Sequence, residues 1–351
     1  MCRILARDSA DNRASMTPPA TPWRLSVAPM MDWTDRHCRF LHRLITKRTR
    51  LYTEMVTTGA LLHGDVARHL AFDGAVEHPV ALQLGGSDPR ELAIAARMGE
   101  AMGYDEVNLN CGCPSERVQR GAFGACLMAE PALVARGVAA MRDAVRIPVT
   151  VKHRIGLGRD ESYGFVRDFV GTVSEQGGAE VFVVHARNAW LEGLSPKQNR
   201  EVPPLRQEVV AALSRDFSAL TFALNGGLAS NDSISMALGA HAGAMVGRFA
   251  YHEPLAMAVW DRDFLGAAGG VPPHVDDVEA AYVRHLERVA ATGEPWTHAS
   301  RHMLGLRHGE AGARRWRQVW SDASLHRRRP GDVARLADAA RRATADQALA
   351  A

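Results

Sequence analysis

Residues 147–186 read "IPVTVKHRIGLGRDESYGFVRDFVGTVSEQGGAEVFVVHA". The opening "IPVTVKH" (147–153) is a short apolar run and predicts a strand. "YGFVRDFVGTVSEQGG" (163–178) predicts a helix that stops at its glycines. "EVFVVHA" (180–186) predicts a second strand. Together they make one βαβ unit, in which a helix crosses over between two parallel strands. Each strand closes on a polar residue in line with an apolar run, Lys152 in the first and His185 in the second.

The same alternation extends both ways. Strands are predicted at 25–30 (LSVAPM), 51–56 (LYTEMV), 78–84 (HPVALQL), 106–110 (EVNLN), 147–153, 180–186, 219–226 (ALTFALNG) and 242–247 (AGAMVG). "SDPRELAIAARMGEAMG" (87–103) predicts a helix with a Ser/Asp cap, an early proline and a terminal glycine. "EPALVARGVAAMRDAV" (130–145) predicts another. Eight strands interleaved with helices predict an α/β chain, a (β/α)8 TIM barrel. A doubly wound sheet needs fewer units and usually a Gly-x-Gly-x-x-Gly turn after its first strand, which "APMMDW" (28–33) is not. "GAAGGVPPH" (266–274) reads as a linker. Beyond it "VDDVEAAYVRHLERVAATG" and "PGDVARLADAARRATADQA" predict helices only, hence a small all-helical domain. The expected organisation is an extension at 1–22, a barrel at 23–265 and the helical domain at 266–351.

Composition bounds the rest. The chain has 351 residues, 46% hydrophobic and 23% charged, a globular balance. A net charge of +3 neither demands nor excludes a nucleic acid. Five cysteines, an odd count, do not make a disulfide framework and suit a reducing cytoplasm. No run is long and apolar enough for a membrane helix, and residues 1–22 lack a signal core. No metal is expected, because Cys111-x-Cys113 has no second Cys/His cluster at finger spacing. Oligomeric state is not readable; a monomer is the working expectation.

In this barrel class catalytic groups sit at the C-terminal strand ends. Those ends carry Pro29 and Met30, Glu54, Gln83, Asn110, Lys152, His185, Asn225, then Gly247 and Arg248. "NGG" (225–227) and "GR" (247–248) follow the last two strands, where such barrels often hold a phosphate. Lys152 and His185 share the same mouth, Gln83 suits a pyrimidine edge, and backbone around Pro29–Met31 suits a ring face. The constellation is of FMN type.

On these residues the chain resembles the tRNA-dihydrouridine synthases, most closely their A-type bacterial subfamily. The carriers are "SVAPMMDWTDRHCRF" (26–40), "NLNCGCPSERVQRGAFGACLM" (108–128), "VTVKHRIG" (149–156), "VHARNAWLEGLSPKQNREVPPL" (184–205), "NGG" (225–227), "VGRFAY" (246–251) and "RHMLGLRHGEAGARRWR" (301–317). The resemblance implies an FMN-bearing barrel, a helical tRNA-binding domain, and reduction of the C5–C6 double bond of D-loop uridines at positions 20 and 20a. Hydride reaches C6 from the reduced flavin, which NADPH reloads. The cysteine of Gly-Cys-Pro, here Cys113, delivers the proton to C5. The implied FMN contacts are Pro29, Met30, Met31, Gln83, Lys152, His185, Asn225, Gly226, Gly227, Gly247 and Arg248. The implied tRNA contacts are Asn110, Lys197, Arg200, Arg314 and Arg317. Cys111 is not required by the family and is expected to be dispensable; Cys126, Cys38 and Cys2 read as structural.

An unperturbed thiol has a pKa of about 8.5, so it is protonated near neutrality yet able to release its proton. Segment 301–329 adds Arg301, Arg307, Arg314, Arg315, Arg317 and Arg327–Arg329 against Glu310 and Asp322, a locally basic footprint for a polyanion. Two alternatives stand beside this reading. One is a dihydroorotate-dehydrogenase-like FMN oxidoreductase on a free pyrimidine, which gives no reason for the basic tail. The other is a non-catalytic tRNA binder or chaperone, which gives none for Cys113, Lys152 and His185 together.

Overall fold

The structure, a computed structural model, describes residues 21–115, 121–159, 162–267 and 269–350, the side chains of 346–350 aside. Most of the expected extension, with Cys2, lies outside the described residues, as does part of the 108–128 motif. The strands are β1 (Leu25–Val27), β2 (Leu51–Thr57), β3 (Val80–Gly85), β4 (Glu106–Cys111), β5 (Val149–Arg154), β6 (Val181–His185), β7 (Thr221–Asn225) and β8 (Gly243–Val246). From β2 to β8 each pairs in parallel with the next strand in sequence, and β1 pairs with β8. The remaining gap is joined just before β2, where Val27 N–H donates to Arg50 O (2.9 Å) and Arg50 N–H to Leu25 O (3.1 Å). The expected eight-stranded α/β barrel is present.

Among its helices are α1 (Arg36–Ile45), α2 (Thr58–His63), α3 (Pro89–Met102), α4 (Pro131–Ala144), α5 (Tyr163–Gly177), α6 (Gln207–Asp216), α7 (Asn231–Ala240) and the short α8 (Arg248–His252). The cap of α3 resolves to Asp88, whose carboxylate accepts from the Arg90 and Glu91 N–H groups. Gly103, at φ +95°, ends that helix in the left-handed conformation that glycine adopts without strain. Gly177 has a packing reason: a Cβ there would come within 2.9 Å of the Ala135 carbonyl, so α5 crosses α4 at backbone contact.

Side-chain parity divides each strand. Along β4, Val107, Leu109 and Cys111 join the apolar layer under the helices, with Leu82, Val151, Val138 and Phe169. Glu106, Asn108 and Asn110 take the opposite parity and face inward. A small apolar cluster of Ala28, Tyr52, Ala81, Val183, Ala223 and Met245 is packed separately inside. Beside it runs a buried polar file. Glu106 accepts from Tyr52 OH (2.6 Å) and Trp23 Nε1 (2.8 Å), and Thr150 Oγ1 also donates to it (2.5 Å). Asn108 Nδ2 donates to Thr150 Oγ1 (2.7 Å), Gln83 Nε2 to Asn108 Oδ1 (2.7 Å), and Asn110 Nδ2 to Gln83 Oε1 (2.8 Å). Buried polar atoms need such partners, so the file runs as linked hydrogen bonds from the base of β4 to its mouth.

One strand end moved by three residues. β1 ends at Val27, not at Met30, because the chain turns there: Trp33 and Thr34 N–H groups both donate to Met30 O. After β8 the chain continues through short helical turns at Pro254–Val259 and Trp260–Asp263 before the linker. Then come α9 (Val275–Ala291), α10 (Ala313–Trp320) and α11 (Pro330–Ala350). These helices share one apolar core with the barrel, since Tyr282, Leu286, Trp316 and Val333 pack in the same cluster as Leu25 and Leu41. The seam lies on α1, where the Phe40 ring stacks on His285 at 4.1 Å and Tyr282 OH donates to His37 O.

Candidate active site at the barrel mouth

The turn after β1 is built by its own polar residues. Met30 N–H donates to Thr34 Oγ1 (2.9 Å), and Asp32 takes φ +64°, a left-handed conformation unusual for a side-chain-bearing residue. The Glu54 carboxylate, in the middle of β2 where the pairing with β3 breaks register, accepts the Asp32 N–H. Glu54 therefore holds the turn that presents Pro29, Met30 and Met31. Met31 is 56% exposed, a large apolar side chain left open at the mouth.

Cys111 and Cys113 are separated by parity as well as sequence. Cys111 is the last residue of β4 and faces the helices, fully buried; burial pushes its thiol far up. Cys113 lies past the strand and is half-buried. Its turn is fixed from below: Asn110 Oδ1 accepts from Gly112 N–H (3.0 Å) and Cys113 N–H (2.9 Å). It is fixed from the side by Arg154, whose Nε donates to Gly112 O (3.1 Å). Cys113 O accepts from Ala125 N–H (2.9 Å), and its Sγ lies 3.6 Å from Ser115 Oγ. The other two described cysteines sit off the mouth. Cys126 bonds Phe123 O through its thiol (3.0 Å), and Cys38 is buried on α1.

Lys152 Nζ donates to Asn225 Oδ1 (3.1 Å), which links β5 to β7, and Asn225 Nδ2 donates to Met245 O (2.7 Å). Burial, reinforced by the Arg154 charge and opposed by Cys113, lowers the Lys152 ammonium to about 7. Burial also pushes His185 well below the ordinary histidine value, and Arg154, Lys152, Arg187 and Arg200 push the same way. His185 is therefore a neutral imidazole, with one donor and one acceptor nitrogen. Gly226, at φ +104°, lies against that ring: a Cβ would meet His185 Cδ2 at 2.8 Å. A Cβ on Gly227 would meet Leu205 at 2.5 Å. Only glycines leave this shelf open.

This donor set fits FMN. A lysine with spare N–H groups, the second N–H of the Gln83 amide, a neutral imidazole and a side-chain-free shelf match a polar ring edge, and Arg248 beside Gly247 offers a cation to a phosphate. In this structure Arg248 Nη1 is paired with Glu201 Oε1 at 2.6 Å, both groups about half exposed.

The expected RNA contacts divide. Lys197 and Arg200 are exposed on the long loop after β6, and Arg314 and Arg317 on α10. Asn110 is different: both ends of its amide are engaged, by Gln83 and by the cysteine turn. Arg307, counted with the basic footprint, does not belong to it. It is buried and ion-paired to Asp276, Glu279 and Glu310, and it locks α9 to the following turn. Arg301 pairs with Asp35 of the barrel (3.0 Å). Sequence reading also passed over Arg154 and the Glu106–Asn108 pair. The signal was present: Arg154 shares the inward parity of Lys152, and Glu106 and Asn108 that of Asn110.

A family model described as dihydrouridine synthase (Dus) matches residues 26–344. A tRNA-dihydrouridine(20/20a) synthase of Vibrio vulnificus is 54% identical over 299 residues, 85% of this chain and 91% of the relative. Proteins of the same description from Pseudomonas putida (54% over 314 residues, 89% and 91%) and Escherichia coli K12 (53% over 315 residues, 89% and 90%) are similar to it. Among solved structures, a 2-naphthoyl-CoA reductase complex aligns with a TM-score of 0.52 at 10% identity, covering 68% of this chain and 50% of that one; it speaks for the fold alone. With the family match spanning barrel and C-terminal helices alike, this chain belongs to the dihydrouridine synthase family.

Proposed function

We propose that the protein reduces uridines at positions 20 and 20a of the tRNA D-loop to dihydrouridine. The observation that carries the reading is the cysteine turn: Cys113, half-buried and fixed by Asn110 and Arg154, lies near enough to Lys152, itself bonded to Asn225, for the two to interact electrostatically, in a chain 54% identical to tRNA-dihydrouridine(20/20a) synthases. FMN, reloaded by NADPH, supplies the hydride to C6 when bound. The residues that hold it are Pro29–Met31, Gln83, Lys152, His185, Asn225–Gly227, Gly247 and Arg248.

Cys113 is the acid. Its thiol gives a proton to C5 on the face opposite the hydride, and the C5–H bond forms as the S–H bond breaks. Lys152 and neutral His185 orient the ring, and protonated Lys152 favours negative charge there. A uridine in folded tRNA must leave its stack to reach this mouth. Lys197 and Arg200 on one side, and Arg314 and Arg317 on the other, anchor the flanking phosphates. Segment 266–351 thus acts as an RNA-binding domain on a monomeric, cytoplasmic enzyme.

The test is dihydrouridine mapping in tRNA from a strain lacking this gene, before and after complementation with wild type or with Cys113→Ala. Restoration at positions 20 and 20a by wild type alone supports the reading. Unchanged tRNA in the deletion strain refutes the substrate assignment, and full rescue by Cys113→Ala refutes the acid.

A further inference from the structure

Arg154 ends β5 and is only 3% exposed. Among the described residues no carboxylate lies within ion-pair distance of it. Three backbone carbonyls surround it instead: Gly112 O at 3.1 Å from Nε, and Asn188 O (3.2 Å) and Asn199 O (2.9 Å) from Nη1. Burial lowers its pKa to about 10. A buried cation without an acid partner is costly, and an apolar residue of similar size would suit the packing better. Its placement suggests what it is retained for.

Gly112 is the residue before Cys113, and Asn199 is the residue before Arg200. One rigid guanidinium fork therefore stands one peptide from the acid and one peptide from the RNA-facing arginine. Its far end grips a well-defined structure. Asn199 is fully buried; its side chain donates to Trp190 O (2.9 Å) and accepts the Trp190 N–H (2.8 Å), which closes the loop carrying Lys197 and Arg200. A shift of this loop under a phosphate has a short, stiff route to the cysteine turn.

We propose that Arg154 is a positioning residue that couples engagement of RNA by Arg200 to placement of the Cys113 thiol. This rests on the roles given above to Cys113 and Arg200, and those are tested separately. With FMN-loaded, pre-reduced enzyme, one measures tRNA dissociation constants and the single-turnover rate of dihydrouridine formation at saturating tRNA. The proteins are wild type, Arg154→Gln, Arg154→Lys, Arg200→Ala and the Arg154→Gln/Arg200→Ala double variant. Thermal midpoints and the rate of flavin reduction by NADPH are followed in parallel.

The expected result is that Arg200→Ala weakens binding and also slows the saturated step severalfold in the wild-type background. Arg154→Gln slows that step at least tenfold with flavin reduction unchanged. In the Arg154→Gln background Arg200→Ala still weakens binding but no longer changes the saturated rate. Arg154→Lys, which keeps the charge but loses the fork, shows the same decoupling, so the outcome stands even if the glutamine variant folds poorly. Independent, multiplying rate effects in the double variant overturn the coupling, as does a saturated rate in Arg154→Lys that stays at wild type. Full tRNA affinity in Arg200→Ala, or full activity in Cys113→Ala, instead overturns the role of that residue.

Discussion

Asn110 Oδ1 accepts the Cys113 N–H at 2.9 Å, so the side chain expected to touch RNA shapes the turn that carries the proposed acid. The same amide donates from its nitrogen to Gln83 Oε1 at 2.8 Å. The base of the mouth and the acid turn are thus one hydrogen-bonded unit. Asn110→Ala removes both links and releases Gly112 and Cys113. A misplacement of about 1 Å costs roughly 100-fold in rate. Single-turnover rates of the variant are expected to fall by about that factor, with flavin bound normally. A drop confined to tRNA affinity would return Asn110 to a pure RNA contact.

Cys111 and Cys113 form a built-in control. Cys111→Ala trims a buried thiol that no step of the proposed reaction uses; it is expected to destabilise by about 1 kcal/mol and leave dihydrouridine formation intact. Cys113→Ala is expected to keep fold and flavin and to lose about 100-fold or more in the reduction step, the usual range for a general acid. Chemical denaturation and single-turnover assays on both variants check the contrast. Equal loss in the two would mean that the C-x-C unit acts as a pair.

The sequence made the barrel legible because eight apolar runs and their helices obey simple periodicities, and because polar residues gather at one strand end. Lys152, His185 and Asn225 were singled out for that reason, whereas Cys113 was singled out by the resemblance of its Gly-Cys-Pro turn. Arg154 was not singled out, since a charged residue at a strand end looks the same whether it faces ligand or loop. The pairing of Arg248 with Glu201, distant in sequence, carries no local pattern. Arg307 shows the reverse failure: counting charges over 301–329 placed it with the RNA face, yet its carboxylate partners Asp276 and Glu279 lie on α9, outside that window. A composition count sees charge but not burial.

Lys152 gives the protein a pH signature. Its folded pKa, about 7, lies below the ordinary 10.5. Between those values the unfolded chain binds more protons, so this group makes flavin-free protein more stable as pH rises, and its penalty is complete below 7. A bound group that accepts hydrogen bonds from the ammonium raises the pKa again. FMN binding near pH 8 is therefore expected to take up a fraction of a proton. Titration calorimetry in two buffers of different ionisation enthalpy measures it, and Lys152→Met abolishes it. Identical heats for wild type in both buffers would contradict the placement of Lys152 at the flavin.

The arginines of the C-terminal segment separate into two kinds that one pair of measurements distinguishes. Arg314 and Arg317 are exposed on α10, while Arg307 is 4% exposed among three carboxylates. Each phosphate neutralised by an exposed arginine contributes about 0.7–0.9 to the slope of log affinity against log salt. Arg314→Ala with Arg317→Ala is thus expected to weaken tRNA binding and flatten that slope by roughly 1.5, at unchanged stability. Arg307→Ala leaves Glu279 buried without a counter-charge, held only by Trp316 Nε1 among the described residues, which costs about 3–5 kcal/mol. It is expected to lower the unfolding midpoint while the salt slope of whatever protein remains folded stays at wild type. Should Arg307→Ala flatten the slope as well, its guanidinium must leave the carboxylates when RNA binds. The α9 contact would then be a part of RNA recognition, not only a lock within the helices.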